Sequence, residues 1–466
     1  MTNWTLDELA RWDDRIQEKV QEFGLDCYPQ EFEVCDQTAM LGYMAYHGMP
    51  SHYPHWSFGK SFEKTKTMYD HGVSGLPYEM VINSDPCLAY LMRDNSLCLQ
   101  ILTIAHVYGH NDFFKKNFNF AAGTRAGETV AMFKARADRV RRYQEDPSIG
   151  ALAVEEWLDS CHALSFSRSK NPSIPRLSHA DQVRRAIEAA SPPEDPFPLL
   201  ARRTEALPPD LSRVPLEPDE DLLLFIRDHR RDLADWQRDI LTIVDDEARY
   251  FIPQIETKIM NEGWASFWHH KIMNSLDLPQ DIHLEFLVRH NQVVCPHPRS
   301  INPYHLGFVL WHRIEEKFGG ADTPEGRRKM FEVRESDRDS SFLRRFLDAE
   351  TMREIDMFSY AQRGEHYVVD EVAEEGWEDI KAKLIRQTGT ASMPTIKIHD
   401  ADYGGARGLY LVHEHEGRDL EVTHAEKTLG HLRHLWGGKV WLRCILRGKP
   451  TLLCSGPDGF DAKLIN

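Results

Sequence analysis

The chain has 466 residues, 41% of them hydrophobic and 28% charged, and a formal net charge of −17. That length suits roughly two to four domains around a substantial core. The acidic balance argues against nucleic acid as a main partner, because phosphate binding needs a basic face, and no apolar run is long enough to predict a membrane-spanning helix.

In chain order, Asn3 to Phe23 predicts an amphipathic helix capped by Thr5, with Glu8 three residues on. This acidic start lacks the basic and apolar regions of a signal peptide, so a cytoplasmic protein is expected. The eight cysteines form no CxxC pair and read as reduced thiols rather than disulfides. A second helical stretch is expected to run to Met44. Gly48 to Phe62 is dense in Pro, His and aromatics and reads as a packed loop; the sharper alternative is a loop covering a site, with His52, His55 and Trp56 lining a pocket. Helix returns from Ser61 to His71. Leu76 to Asn83 alternates enough for a short strand carrying Glu79 as a candidate base, and Asp85-Pro86 opens the helices that follow.

Asn95 to Phe120 predicts a helix with two histidines, His106 and His110, four residues apart. That spacing stacks both imidazoles on one face, as in helices that give two nitrogens to one metal ion. The position after the first histidine is Val107, so the glutamate base of a His-Glu-x-x-His site is missing. Gly109 permits close approach of a neighbour. Phe113, Phe114, Phe118 and Phe120 offer a dry wall. Asp112 is a second candidate base, although it sits about 200° around the helix from His110.

Gly123 to Asp146 reads as a charged helix. Ile149 to Leu164 follows, where Glu155, Asp159 and His162 share a helical face in the carboxylate-x-x-His pattern of two-metal bundles. Residues 165–218 are rich in proline, notably at 191–198 and 208–218, and read as a linker or extended arm. Asp219 to Leu276 is strongly helical, with Pro253 expected to kink or restart it. Glu262 stands in Asn-Glu-Gly-Trp-Ala, where the helical Gly263 implies tight packing. His269 lies roughly 10 Å along the axis from Glu262 and is not expected to share its ion. It and Tyr108 are candidates to stabilise an oxyanion. Gly364 to Val369 is a possible strand. Past residue 389, three strands around a helix from Thr423 to Trp436 predict a small α/β domain.

The resulting fold class is mainly α with a small α/β C-terminal domain. The blocks are 1–164, the arm 165–218, a second helical block 219–388 packed with the first as one domain, and 389–466. Two histidines from one helix and Glu262 from a second make a zincin-like helix-plus-helix arrangement. His106, His110 and Glu262 would hold Zn²⁺, with Glu79, Asp112 and His269 as catalytic candidates. A scaffold or regulator with a structural metal or none, binding an acid-complementary protein partner, is the alternative. The other is a two-metal iron or manganese oxidoreductase recruiting Asp159 and His162.

The stretches AHVYGHNDFF, VEEWLDSCHAL, FIPQIETKIMNEGWASFWHHKIM and INPYHLGF, with the C-terminal strand block, together resemble the SpoVR family, the stage V sporulation protein R proteins, over essentially the whole chain. The resemblance implies a role in sporulation, spore cortex formation and stress response. By family association it also implies protein partners, a PrkA-type serine kinase and a protein with a von Willebrand-type domain. It implies no settled chemistry, which has to come from the residues.

Overall fold

The computed structural model describes residues 4–71, 79–171, 174–190, 210–297, 300–355, 360–363, 366–369 and 376–465. The chain is mainly helical, with a small C-terminal sheet. It divides into two compact units, each built from two separate stretches. One comprises Met1–Arg141 and Arg249–Ser392, the other Arg142–Ala248 and Met393–Asn466. The contiguous blocks drawn from composition therefore become interleaved ones.

The first unit is organised around the Leu97–Lys116 helix, in which every residue from Cys98 to Phe114 is buried. A helix covered on all sides belongs in a core rather than on a surface. Ser96 caps its start by accepting from the Leu99 N–H at 3.2 Å. Beside it runs the Lys258–Ser275 helix, also buried along most of its length. A Cβ on Gly109 would stand 2.6 Å from the Cα of Ala265, so the two backbones nearly touch there. The Pro303–Phe318 helix closes on the other side, where a Cβ on Gly263 would meet the Cα of Gly307 at 2.4 Å. Three helices are thus held at a separation only small residues allow.

Aromatics fill the flanks of these crossings. The Trp264 ring lies 4.6 Å from that of Trp311 and 5.5 Å from that of Trp268. Burying side chains of this size contributes roughly 1.5–3 kcal/mol each. Asp339 caps the Lys258–Ser275 helix from outside, accepting the Ile259 and Met260 N–H groups at 2.8 Å each. The preceding helix, Asp235–Glu256, carries Pro253 in its last turn, and the chain restarts at Lys258.

The expected helix at Asn3 to Phe23 is Leu6–Glu22, with Thr5 as its cap. The region read as helix up to Met44 instead begins with a strand, Gln30–Cys35, followed by the Gln37–Ala45 helix. A further strand, Cys87–Met92, stands where helix was expected after Pro86. Its sequence, CLAYLM, is a continuous apolar run, which periodicity alone cannot tell from buried helix. It is the central strand of a three-stranded sheet. Gln30–Cys35 pairs with it in parallel and Glu79–Ile82 antiparallel, with Glu79 opposite Leu91. Leu76 to Tyr78, the start of the expected strand, lies outside the described residues. The loop expected from Gly48 to Phe62 gives way at Trp56 to the Trp56–Asp70 helix; His52 and His55 are buried, but Trp56 is 51% exposed.

The second unit contains a five-stranded sheet ordered Gly459–Leu464, Lys449–Gly456, Val440–Leu446, Gly408–Glu414, Thr395–Tyr403. The Val422–Trp436 helix links the parallel pair in its middle, and the C-terminal hairpin goes beyond the three strands expected. Residues 191–209 of the proline-rich arm lie outside the described residues. Its end is tied to the sheet, since Asp219 and Ile398 exchange backbone hydrogen bonds of 3.1 and 2.8 Å. The possible strand at Gly364 to Val369 is present as His366–Val369, with 364 and 365 outside the described residues.

Candidate metal centre

In the first unit, the histidine helix and its partner helix bring a set of buried donors face to face. His106 Nε2 lies 3.7 Å and His110 Nε2 3.4 Å from Glu262 Oε2. From the edge strand, Glu79 Oε1 comes within 4.0 Å of His106 Nε2. Among the described residues, Glu79, His106 and His110 form a group whose ligand atoms all lie within 4.8 Å of one another. Among the described residues, the His106 Nε2 and Glu262 Oε2 atoms are buried with no hydrogen-bond partner of good geometry. Orphaned polar atoms in a core are costly.

The charges interact strongly. Burial works to raise the Glu262 pKa, but Lys258, His106 and His110 outweigh it and hold the carboxyl well below its usual range. Lys258 Nζ stands 2.6 Å from Glu262 Oε1. Burial depresses His110, yet Glu262, helped by Asn261 and Glu79, leaves its pKa raised. Glu79 is pushed up by burial against the opposing pull of the two histidines.

Each residue of Asn-Glu-Gly-Trp-Ala has a task here. Asn261 Oδ1 takes the Nδ1 of His110 at 2.9 Å, which turns Nε2 toward Glu262. Glu262 supplies the carboxylate. Gly263 and Ala265 allow the close helix crossings. Trp264 Nε1 donates to Asp112 Oδ2 at 2.9 Å.

That last bond corrects one expectation. The Asp112 carboxylate is no base for this centre, because both oxygens accept from Arg334 Nη1 at 2.7 and 2.6 Å and Oδ1 also takes the Asp26 N–H. It is a buried structural anchor, aimed to the far side of the helix as its angular offset implied. Tyr108 is likewise turned away, donating to Asp13 Oδ1 at 2.8 Å. Phe118, expected in the dry wall, is 46% exposed, while Phe113, Phe114 and Phe120 are buried. His269 is fully buried with both ring nitrogens engaged, so it is not open to an oxyanion. Asp159 and His162 belong to the Ala151–His162 helix of the second unit, and the ligand group includes neither.

Tyr304 was missed as a site residue, although its motif, INPYHLGF, was conspicuous. Its ring stacks on His106 at 6.1 Å and 26°. The Glu262 charge, then burial and the Glu79 charge, hold its hydroxyl well above its usual pKa. Asn302, capping the helix and accepting the Tyr304 N–H at 3.0 Å, fixes it there. An Asn-Pro start to a helix is the signal that could have located it.

Comparison with known proteins bears on the whole chain. The family model described as SpoVR like protein matches residues 3–393, and that of the SpoVR-like C-terminal domain matches 394–446. Uncharacterized protein YcgB of Escherichia coli (strain K12) is 34% identical over 475 aligned residues, covering 94% of this chain and 92% of that protein. No solved structure matches. With both family models matching and a relative similar along nearly its full length, the chain belongs to the SpoVR family.

Proposed function

We propose that this SpoVR-family protein is a metal-dependent hydrolase acting on a peptide or amide bond in sporulation, within spore cortex formation. His106, His110 and Glu262 would hold a single Zn²⁺ in a zincin-like arrangement. The observation that carries the reading is the pair of orphaned, buried ligand atoms, His106 Nε2 and Glu262 Oε2, facing one another at 3.7 Å beside His110 Nε2. A tetrahedral zinc with bonds of about 2.0–2.1 Å has donors about 3.3–3.4 Å apart, so the donor spacing suits this ion with little adjustment. Bound there, zinc would supply Lewis-acid polarisation and lower the pKa of water.

The chain's own residues supply the rest. Glu79 takes the role that Val107 leaves vacant, accepting a proton and returning it to the leaving group. Lys258 and Tyr304 are the ammonium and hydroxyl donors facing the Glu262 carboxylate, and Tyr304 is the group best suited to bind a substrate oxygen. Iron or manganese in place of zinc is the alternative occupant. A cytoplasmic location and the serine kinase and von Willebrand-domain partners belong to the same proposal. No helix among the described residues is long and apolar enough to cross a membrane, which is compatible with that location.

Elemental analysis of the purified full-length protein tests the reading. One zinc per chain is expected, lost in the His106→Ala/His110→Ala double variant. A metal-free native protein, or a double variant that keeps its metal, overturns it.

A further inference from the structure

Behind His106 the imidazoles continue. His106 Nδ1 and His269 Nδ1 are 2.8 Å apart, and His269 Nε2 and His290 Nδ1 are also 2.8 Å apart. All three rings are buried. Phe286 packs on His269 and His290, and Phe308 covers His290 at 5.0 Å.

A ring nitrogen pair at hydrogen-bond distance shares one proton, since two would clash and none would leave facing lone pairs. A neutral imidazole carries one N–H. With all three rings neutral, only two arrangements satisfy both contacts. In one, His106 carries its proton on Nε2, His269 donates to His106, and His290 donates to His269. In the other, His106 donates from Nδ1, His269 donates from Nε2, and His290 keeps its proton on its far nitrogen. Only the second leaves the His106 Nε2 lone pair pointing at Glu262.

We infer that His269 and His290 are positioning residues, which hold His106 in the Nδ1–H tautomer and orientation that make its Nε2 a metal ligand. Asn261 does the same for His110 through a single side chain, whereas His106 relies on a two-ring relay. The inference rests on the metal-binding reading above, and it assigns His269 to the support of a ligand rather than to substrate. Partners of this kind are worth roughly 10–100-fold in metal affinity.

The test uses the full-length protein and zinc alone. Competition with a chromophoric chelator should show His269→Leu binding zinc roughly 10–100-fold more weakly than native, with a smaller loss for His290→Phe. In the native protein labelled with ¹⁵N-histidine and loaded with zinc, long-range ¹H–¹⁵N spectra should show His106 protonated on Nδ1 and both His269 and His290 on Nε2. The spectrum needs no variant, so it decides the matter even if His269→Leu does not fold. Native zinc affinity in a folded His269→Leu, or a zinc-loaded His269 protonated on Nδ1, overturns the inference while leaving the metal site standing. A native protein that binds no zinc overturns both.

Discussion

Gly109 and Ala265 meet with almost no space between their helices: a methyl group added at Gly109 would lie 2.6 Å from the Ala265 Cα. The obstacle is backbone, which cannot rotate aside. Gly109→Ala must push the histidine helix away from the helix that carries Glu262. Overpacking of this kind costs about 1–3 kcal/mol or more. Chemical denaturation should report that loss, and zinc affinity should fall with it even though no ligand is changed. Native stability and affinity in this variant would mean the two helices are not locked at this crossing.

Asp112 and Arg334 separate fold from chemistry. Both are buried, and the pair is knitted to Trp264 and the Asp26 backbone. Asp112→Ala strands an arginine in the core and should cost about 3–5 kcal/mol. Folded Asp112→Ala protein, recovered at low temperature, should still carry one zinc per chain. Loss of metal with stability unchanged would return Asp112 to the list of site residues.

Glu79→Gln addresses the chemistry. The amide keeps the shape of the side chain and leaves His106, His110 and Glu262 intact, so metal content should stay at one per chain. Proton transfer is lost, and hydrolysis of an amide substrate should drop roughly 10²–10⁴-fold. Parallel elemental analysis and single-turnover measurements check both halves. Full turnover in the variant would remove Glu79 from the mechanism.

Acid should loosen the first unit at a site distant from these ligands. Burial pushes Glu315 upward, but His312, Lys271 and the Ala321 N–H overcome it and bring its pKa down to about 2. Lys271 Nζ stands 2.5 Å away. The folded value lies below the ordinary one of about 4.3. The contribution is therefore complete above that ordinary value and disappears as the pH falls from about 4.3 toward about 2. Solvent screening of this partly exposed pair limits it to about 1–2 kcal/mol. Urea midpoints measured between pH 7 and pH 3 should fall less steeply in Glu315→Gln than in the native protein.

Periodicity made the helices legible. The Thr5 cap, the restart after Pro253 and the crowded Gly263 were all readable because each is a local rule with one dominant cause. The strands beside the histidine helix were not. Cys87–Met92 is an apolar run whose partner, Gln30–Cys35, lies far away in sequence, so the pairing leaves no local trace. The site followed the same division. The spacing of His106 and His110 was visible, and so was Glu262. Tyr304 and the role of His269 were not, because both depend on how a third and a fourth helix pack. Asp112 misled because a buried aspartate beside histidines resembles a base until its arginine is found on another helix.

The donors of the candidate centre come from an edge strand and from two helices that are remote from each other along the chain. A metal ion held between them would act as a cross-link, tying early and late segments together only after both have been made. Occupancy would then report that the whole unit has assembled, and chelation would slacken the scaffold as well as silence the chemistry.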